Sequence, residues 1–597
     1  VEGRGDLGAV LKRTISLTLL WTSVALITGC LSPTSFAVES STGELESSTG
    51  EGGASASTDS EETAAPGVMT TTEDPEIADL AECSPGSREW CAYGGPAESL
   101  QVGSCRAAVR VCGEDGAWGD CAGEVVPKVE DCRTLADEDC DGQAACSGEV
   151  VWVRSFGQAD GGASGHTTVE ALALDGHERI WLTGGFSGSL QIGGQSWDKP
   201  GMPTMFMSRL NVQGEPEIAF ADRQDGACGV GTALAAGRHG QVALGAIQCG
   251  KLQVAKEAPV RGHVGGSHAA LVGVFAQSGD YVRDLPLRAD GGNAAVERLV
   301  YDGAGNLWIA GRFSGGPLLV GEGYEGMMVG AAGLVDGMVV KLGPDGKIVW
   351  AHGFGDEHSQ QILDMDVDAA GHVWLVGGFV GSMQFAGGSL HAQVASPDRT
   401  SMFVVKLDGE GVWQWGRAYG VAADQALSQV RVDADGEAVV AGSYRGPMLA
   451  LGSEVLVNEI SEMAIVVARL DARGDLRWAR SWACHGVCSL DALAMDGAGQ
   501  SVVSTALAAN SGLVIEEAVA FAAADDEGAV VAKLDRDGGL LWQPRSYAAD
   551  VELAVGPTGA IYMAGRYGGE VSFGAAPGLQ WSAGDDGEDI YVARARP

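Results

Sequence analysis

Hydrophobic and polar residues alternate along this chain in short bursts, and the bursts come in pairs around a polar turn. Residues 367–379 read Val-Asp-Ala-Ala-Gly-His-Val-Trp-Leu-Val-Gly-Gly-Phe. The period of two predicts a strand on each side. The Asp-x-x-Gly between them predicts a tight turn, because Gly takes positive φ and Asp bonds the turn backbone. Equivalent turns begin at Asp175, Gly237, Asp302, Asp368, Asp433, Asp496 and Gly556, so the unit recurs about every 64 residues. A second hairpin follows in each unit. Its first strand reads Met-Phe-Met-Ser-Arg-Leu at 205–210, Met-Phe-Val-Val-Lys-Leu at 402–407 and Ala-Val-Val-Ala-Lys-Leu at 529–534. Its second strand is marked by Trp350, Trp415, Trp478 or Trp542, with Phe220 and Leu285 in the first two units.

Four strands per unit, here a, b, c and d, at this period predict propeller blades. Seven a–b–c sets are present. The last reaches Ile590–Arg594 with no d strand after it, while a lone d-like strand, Val-Val-Trp-Val-Arg-Ser at 150–155, precedes the first. The expected fold is therefore all-β: a seven-bladed β-propeller over 150–597, closed by its N-terminal strand so that no sheet edge is left open. The alternative is an open β-solenoid or two sandwich domains.

Lys12-Arg13 and the apolar run Ile15 to Ile27 have the form of an export signal, too short to span a bilayer comfortably. The run ends in Ile27-Thr28-Gly29-Cys30. That tetrapeptide resembles a bacterial lipobox, which implies a signal peptide at 1–29 and a lipid on Cys30; an ordinary secretory signal is the alternative. Residues 31–82 hold 12 acidic residues and no Lys or Arg, and Glu-Ser-Ser-Thr-Gly-Glu occurs twice. Together with Cys30 they are expected to be a disordered tether, 30–82, spanning roughly 40 Å. The expected location is a cell surface or outer membrane, with membrane contact only through the lipid.

Thirteen cysteines leave twelve once Cys30 is set aside. Eight fall at Cys83, Cys91, Cys105, Cys112, Cys121, Cys132, Cys140 and Cys146, then Cys228 with Cys249, and Cys484 with Cys488. Even groups suit disulfides in an exported protein, and eight cysteines in 83–149 predict a small disulfide-rich module with open connectivity. Within it, Asp137, Asp139 and Asp141 alternate before Gly142, as in the first half of a calcium loop. The twelfth position is Gly148, not the bidentate Glu such a loop needs; Glu149 comes one residue late. The segment resembles a metal-binding motif of bacterial surface proteins, which implies Ca²⁺ as a possible cofactor held by hard oxygens. An acidic turn between disulfides is the alternative.

The net charge of −41 excludes a nucleic-acid partner, whose backbone needs Lys and Arg. The repeats resemble the bacterial SBBP propeller family through Asp368–Gly371, Phe379-Val380-Gly381, Lys406-Leu407-Asp408 and Trp415; the second blade departs most from that pattern. The resemblance implies the fold and no catalytic residue. No nucleophile elbow, zinc-protease helix or phosphate loop occurs, so the expectation is a non-enzyme. His352, Asp356, Glu357 and His358 form the densest polar group. The blade tryptophans are expected to be packing residues. Variable b–c and d–a connections share one face, and the expected function is a non-catalytic scaffold that binds protein or polysaccharide there. The alternatives are an extracellular glycan hydrolase or lyase, and calcium capture.

Overall fold

The computed structural model describes residues 83–597, except 129–135, 141–145, 158–164, 223, 225–227, 238–239, 263–267, 323–325, 331–332, 394–398, 421–423, 459–460, 516–517, 523–526, 543–544, 548–549, 568–569, 572–580 and 583–587. Cys30, Cys132 and Asp141, with the expected signal and tether, lie outside the described residues.

Seven antiparallel sheets follow one another along the chain, each with its strands in the order a-b-c-d. In blade 4 they are Gln360–Val367, Val373–Phe379, Ser401–Leu407 and Trp413–Tyr419. Neighbouring a strands touch each other round a complete ring, so strand a lines the centre and strand d the rim. Closure occurs as the sequence predicts. Val150–Phe156 is the d strand of blade 7 and pairs with Asp589–Ala595, its c strand. The seam is extended by Ser147 N–H donating to Pro597 O at 2.9 Å and Arg596 N–H to Glu149 O at 2.9 Å.

In five blades the a–b turn is held by its Asp: Asp175, Asp302, Asp368, Asp433 and Asp496. Asp368 Oδ1 accepts the N–H of Ala370 at 3.0 Å and of His372 at 2.8 Å, while Lys406 Nζ lies 2.9 Å from Oδ2. Six residues after the turn residue, strand b carries Trp181, Trp308, Trp374 or Tyr562, each buried. A strand c cation stands over each ring: Arg209, Lys341, Lys406 and Arg594, at 5.4, 4.6, 4.7 and 6.0 Å. Strand d adds Trp350 edge-on to Trp308 at 5.5 Å and Trp415 to Trp374 at 4.9 Å. The hydrophobic core lies between blades: Trp308 and Val339 of blade 3 pack with Ile362, Val373 and Leu375 of blade 4.

The b–c connections differ from the variable loops expected. They carry short hairpins or continuations of their strands, and several of these bear on the preceding blade. The blade 3 hairpin, Leu318–Val320 with Met327–Val329, adds two strands to the blade 2 sheet through Leu287 opposite Val320 and Ala289 opposite Leu318. The blade 6 connection does the same to blade 5 through Gly512–Ile515. Unpaired outer edges favour such augmentation, and here the partner is the chain itself.

The N-terminal module contains the short strands Arg88–Trp90 and Val109–Val111. Its disulfides are Cys83–Cys112, Cys91–Cys121 and Cys105–Cys140, and Cys146 is also disulfide-bonded. In the propeller, Cys228–Cys249 ties strand a to strand b of blade 2, and Cys484–Cys488 links blade 5 to blade 6.

Candidate functional site

The polar residues of the a strands converge on the central channel. In six blades the a–b register slips by one residue five positions before the turn, at Glu170, Thr232, Glu297, Leu363, Ser428 and Asp491. An unopposed residue of this kind bends and twists the strand locally. Five of the six are polar. Arg298, Asp364, Asp366, Gln429, Arg431 and Glu552 flank them on the same strands.

Blades 3 to 5 form a neutralised arc. Asp364 Oδ2 lies 2.5 Å from Arg431 Nη1, and its Oδ1 lies 3.2 Å from Arg298 Nε. Asp364 also accepts the Val430 N–H and Asp366 the Val432 N–H, both at 2.8 Å, so blade 4 carboxylates hold the blade 5 backbone. Arg312 pairs with Glu297 at 3.2 Å.

Blades 6, 7 and 1 form an acidic arc. Asp491 accepts the Val551 N–H at 3.2 Å. Among the described residues, Glu552 and Glu170 have no ion-pair partner. Each keeps some water-accessible surface although protein surrounds it, as a channel wall requires. Burial, reinforced by Glu170, pushes Glu552 up to about 8. Burial and the nearby Asp550 carboxylate push Asp491 well above the usual range. Burial also raises Glu170, against a hydrogen bond with Thr168. Burial raises Asp366, only partly offset by Arg431. Arg298 and Arg431 face Glu552 across the channel. Nearby, Arg566 gathers Asp550, Glu588 and Glu527, and His166 Nδ1 lies 3.2 Å from Glu588. Such an arrangement offers protonated carboxyls as hydrogen-bond donors, or a seat for a cationic group that would ionise them.

No protein-family model matches the chain, and no curated protein matches it. Among solved structures, it is similar to Sqt1 from Chaetomium thermophilum, at 11% identity over 73% of this chain and 98% of that one, with a TM-score of 0.33. It is also similar to the extracellular domain of a hybrid two-component system from B. thetaiotaomicron, at 9% identity over 73% and 72%, with a TM-score of 0.18.

The residues singled out in the sequence fall elsewhere. Asp137 and Asp139 are both buried in the module, around Cys140 at φ 59°. Among the described residues, no group of three or more His, Cys, Asp or Glu could hold a metal. Asp141, the third aspartate of the set, lies outside the described residues. The His352 group separates: His352 packs against Trp350 with the rings tilted and their centroids 4.8 Å apart, while Asp356 accepts the N–H of His358 at 2.9 Å and of Ser382 at 2.6 Å, closing a turn. Glu322, in the blade 3 b–c connection, pairs with Arg261 at 2.8 Å and Arg288 at 3.4 Å. The channel residues were missed by sequence reasoning. Their signal was a polar residue four or five positions before the turn in most blades, breaking the alternation of strand a.

Proposed function

We propose that this protein is an exported, non-catalytic β-propeller scaffold that binds a protein or polysaccharide partner at the mouth of its central channel. The observation that carries this reading is the acidic arc of Asp491, Glu552 and Glu170, held opposite Arg298 and Arg431. A partner group bearing a positive charge gains most there, because it relieves carboxylates that burial and mutual repulsion disfavour. Export is supported by the disulfides of the module and the propeller, which persist in oxidising compartments. Lipid attachment at Cys30 rests on the lipobox-like tetrapeptide, and membership of the SBBP repeats on the turn and strand residues already named. The buried Asp137 and Asp139 support a calcium-binding role for the module only together with Asp141.

Calorimetry with lysine-containing peptides tests the channel assignment. Wild-type protein binds in low salt, and Glu552→Gln with Asp491→Asn weakens binding at least tenfold. Equal binding by wild type and variant sinks the assignment. The raised Glu552 favours a second reading, a glycan hydrolase or lyase with a proton-holding acid at that position. Turnover of a polysaccharide that Glu552→Gln abolishes would establish it.

A further inference from the structure

Blade 5 breaks the aromatic pattern of the propeller and leaves a cavity where the pattern is broken. Six residues after its turn stands Val439 in place of the Trp of blades 3 and 4. Val439 lies opposite Arg469 on strand c, and Arg469 opposite Trp478 on strand d. In blades 3 and 4 the strand d Trp meets the strand b Trp edge-on. Trp478 has no such neighbour. Blade 6 also lacks the strand b aromatic, having Val502; Gly148 of the N-terminal segment packs against Trp542 as Gly538 packs against Trp478. In blade 2 the row reads Ala243, Val274 and Arg283, with no strand d Trp to cover.

The result is a cavity of about 360 Å³ between blades 5 and 6, lined by Glu437, Arg469, Arg477, Trp478, Arg536 and Asp537. The volume is that of a small-ligand pocket. Its charges are matched from within. Arg469 pairs with Asp433 and, at 3.0 Å, with Glu437. Arg536 Nη2 reaches Asp435 at 2.5 Å and Glu437 at 3.3 Å. Arg477 is half exposed, 3.4 Å from Glu437. Such a lining exerts no net pull on an anion. It offers an indole together with planar donors and acceptors side by side, and the indole N–H is already used, donating to Arg536 O at 2.8 Å.

We propose that this pocket is a binding site for a neutral hexopyranose unit of a polysaccharide. A pyranose has an apolar C–H face that suits the Trp478 ring, and hydroxyls that both donate and accept, matching guanidinium and carboxylate neighbours together. The site is separate from the central channel, so it stands or falls independently of the channel reading.

The full chain is tested on a printed array of neutral hexose oligosaccharides and of uronate and sulfated glycans. At least one neutral hexose oligosaccharide is retained by wild type. Trp478→Ala lowers that affinity at least tenfold, and Arg477→Ala, at a half-exposed position that does not threaten folding, at least threefold. Arg399→Ala, in an exposed ion pair outside both sites, leaves it unchanged. Retention of no glycan, retention of acidic glycans only, or neutral binding that survives Arg477→Ala and a folded Trp478→Ala overturns the proposal.

Discussion

Arg431 Nη1 of blade 5 lies 2.5 Å from Asp364 Oδ2 of blade 4, and the Val430 N–H donates to the same carboxylate oxygen at 2.8 Å. One side chain thus fixes two neighbouring a strands at the channel wall. Asp364 is almost wholly buried, so removing it takes away the ion-pair partner that Arg431 and Arg298 share. Asp364→Ala is expected to cost about 3–5 kcal/mol, read as a lower urea midpoint. Arg399→Ala, which breaks a pair exposed on both sides, is expected to cost less than about 1 kcal/mol. Equal midpoints for the two variants would contradict the clamp.

The turn aspartates predict where acid unfolds the propeller. Burial opposes ionisation of Asp302, but hydrogen bonds from Asn306, the Trp308 indole and the turn amides outweigh it and hold its pKa below 3.8. Asp175 and Asp368 are lowered in the same way. A depressed carboxyl contributes stability above its unfolded pKa and loses it as pH falls through the folded value. Stability should therefore drop steeply below about pH 4. Asp302→Ala should cost about 2–3 kcal/mol at pH 7 and flatten that acid slope. An unchanged slope below pH 4 would remove the turns from the account.

The repeat was legible because its residues act locally. Asp368 and Gly371 close a turn with their own neighbours, and Trp374 needs only Lys406 opposite it on the next strand of the blade, so both leave a fixed spacing in the sequence. The closing strand was legible for the same reason, since Val150–Phe156 carries the strand d pattern without a blade around it. The channel was not. Glu170 and Glu552 are nearly 400 residues apart, and what makes them a site is the closure of the ring, which no local pattern encodes. The b–c hairpins escaped notice because Leu318–Val320 satisfies the edge of another blade. The gap beside Trp478 is visible only when Val439 is aligned with Trp308 and Trp374 as a row across strands.

The disulfides should differ in effect according to the chain they enclose. Cys228–Cys249 spans 21 residues and Cys484–Cys488 only 4. Loop-closure entropy assigns about 3 kcal/mol to the first and about 2 kcal/mol to the second. Paired serine substitutions should follow that order in denaturant midpoint. In the module, Cys105–Cys140 closes 35 residues around few apolar side chains. Reductant should therefore unfold the module, followed by Trp90 and Trp118 fluorescence, at concentrations that leave the propeller folded. Simultaneous loss of both would show that the module does not depend on its disulfides more than the propeller does.

Glu552 gives the propeller a second pH dependence of opposite sign. Its folded pKa of about 8 exceeds its ordinary value of 4.5, because burial and the neighbouring Glu170 disfavour the carboxylate. Below the ordinary value both folded and unfolded chains hold the proton and nothing is lost. As pH rises from there towards 8, the unfolded chain ionises first, so stability falls across that interval and levels off above it. Channel water screens the effect, leaving about 1–2 kcal/mol. Glu552→Gln removes the dependence, so the variant should gain on wild type between pH 5 and pH 8 and match its slope elsewhere. A cation seated on the arc would lower the folded pKa of Glu552, so wild type titrated with the lysine peptide should lose part of the same slope. A Glu552→Gln melting curve parallel to wild type from pH 5 to pH 8 would place the carboxyl in open water and undo the acidic arc.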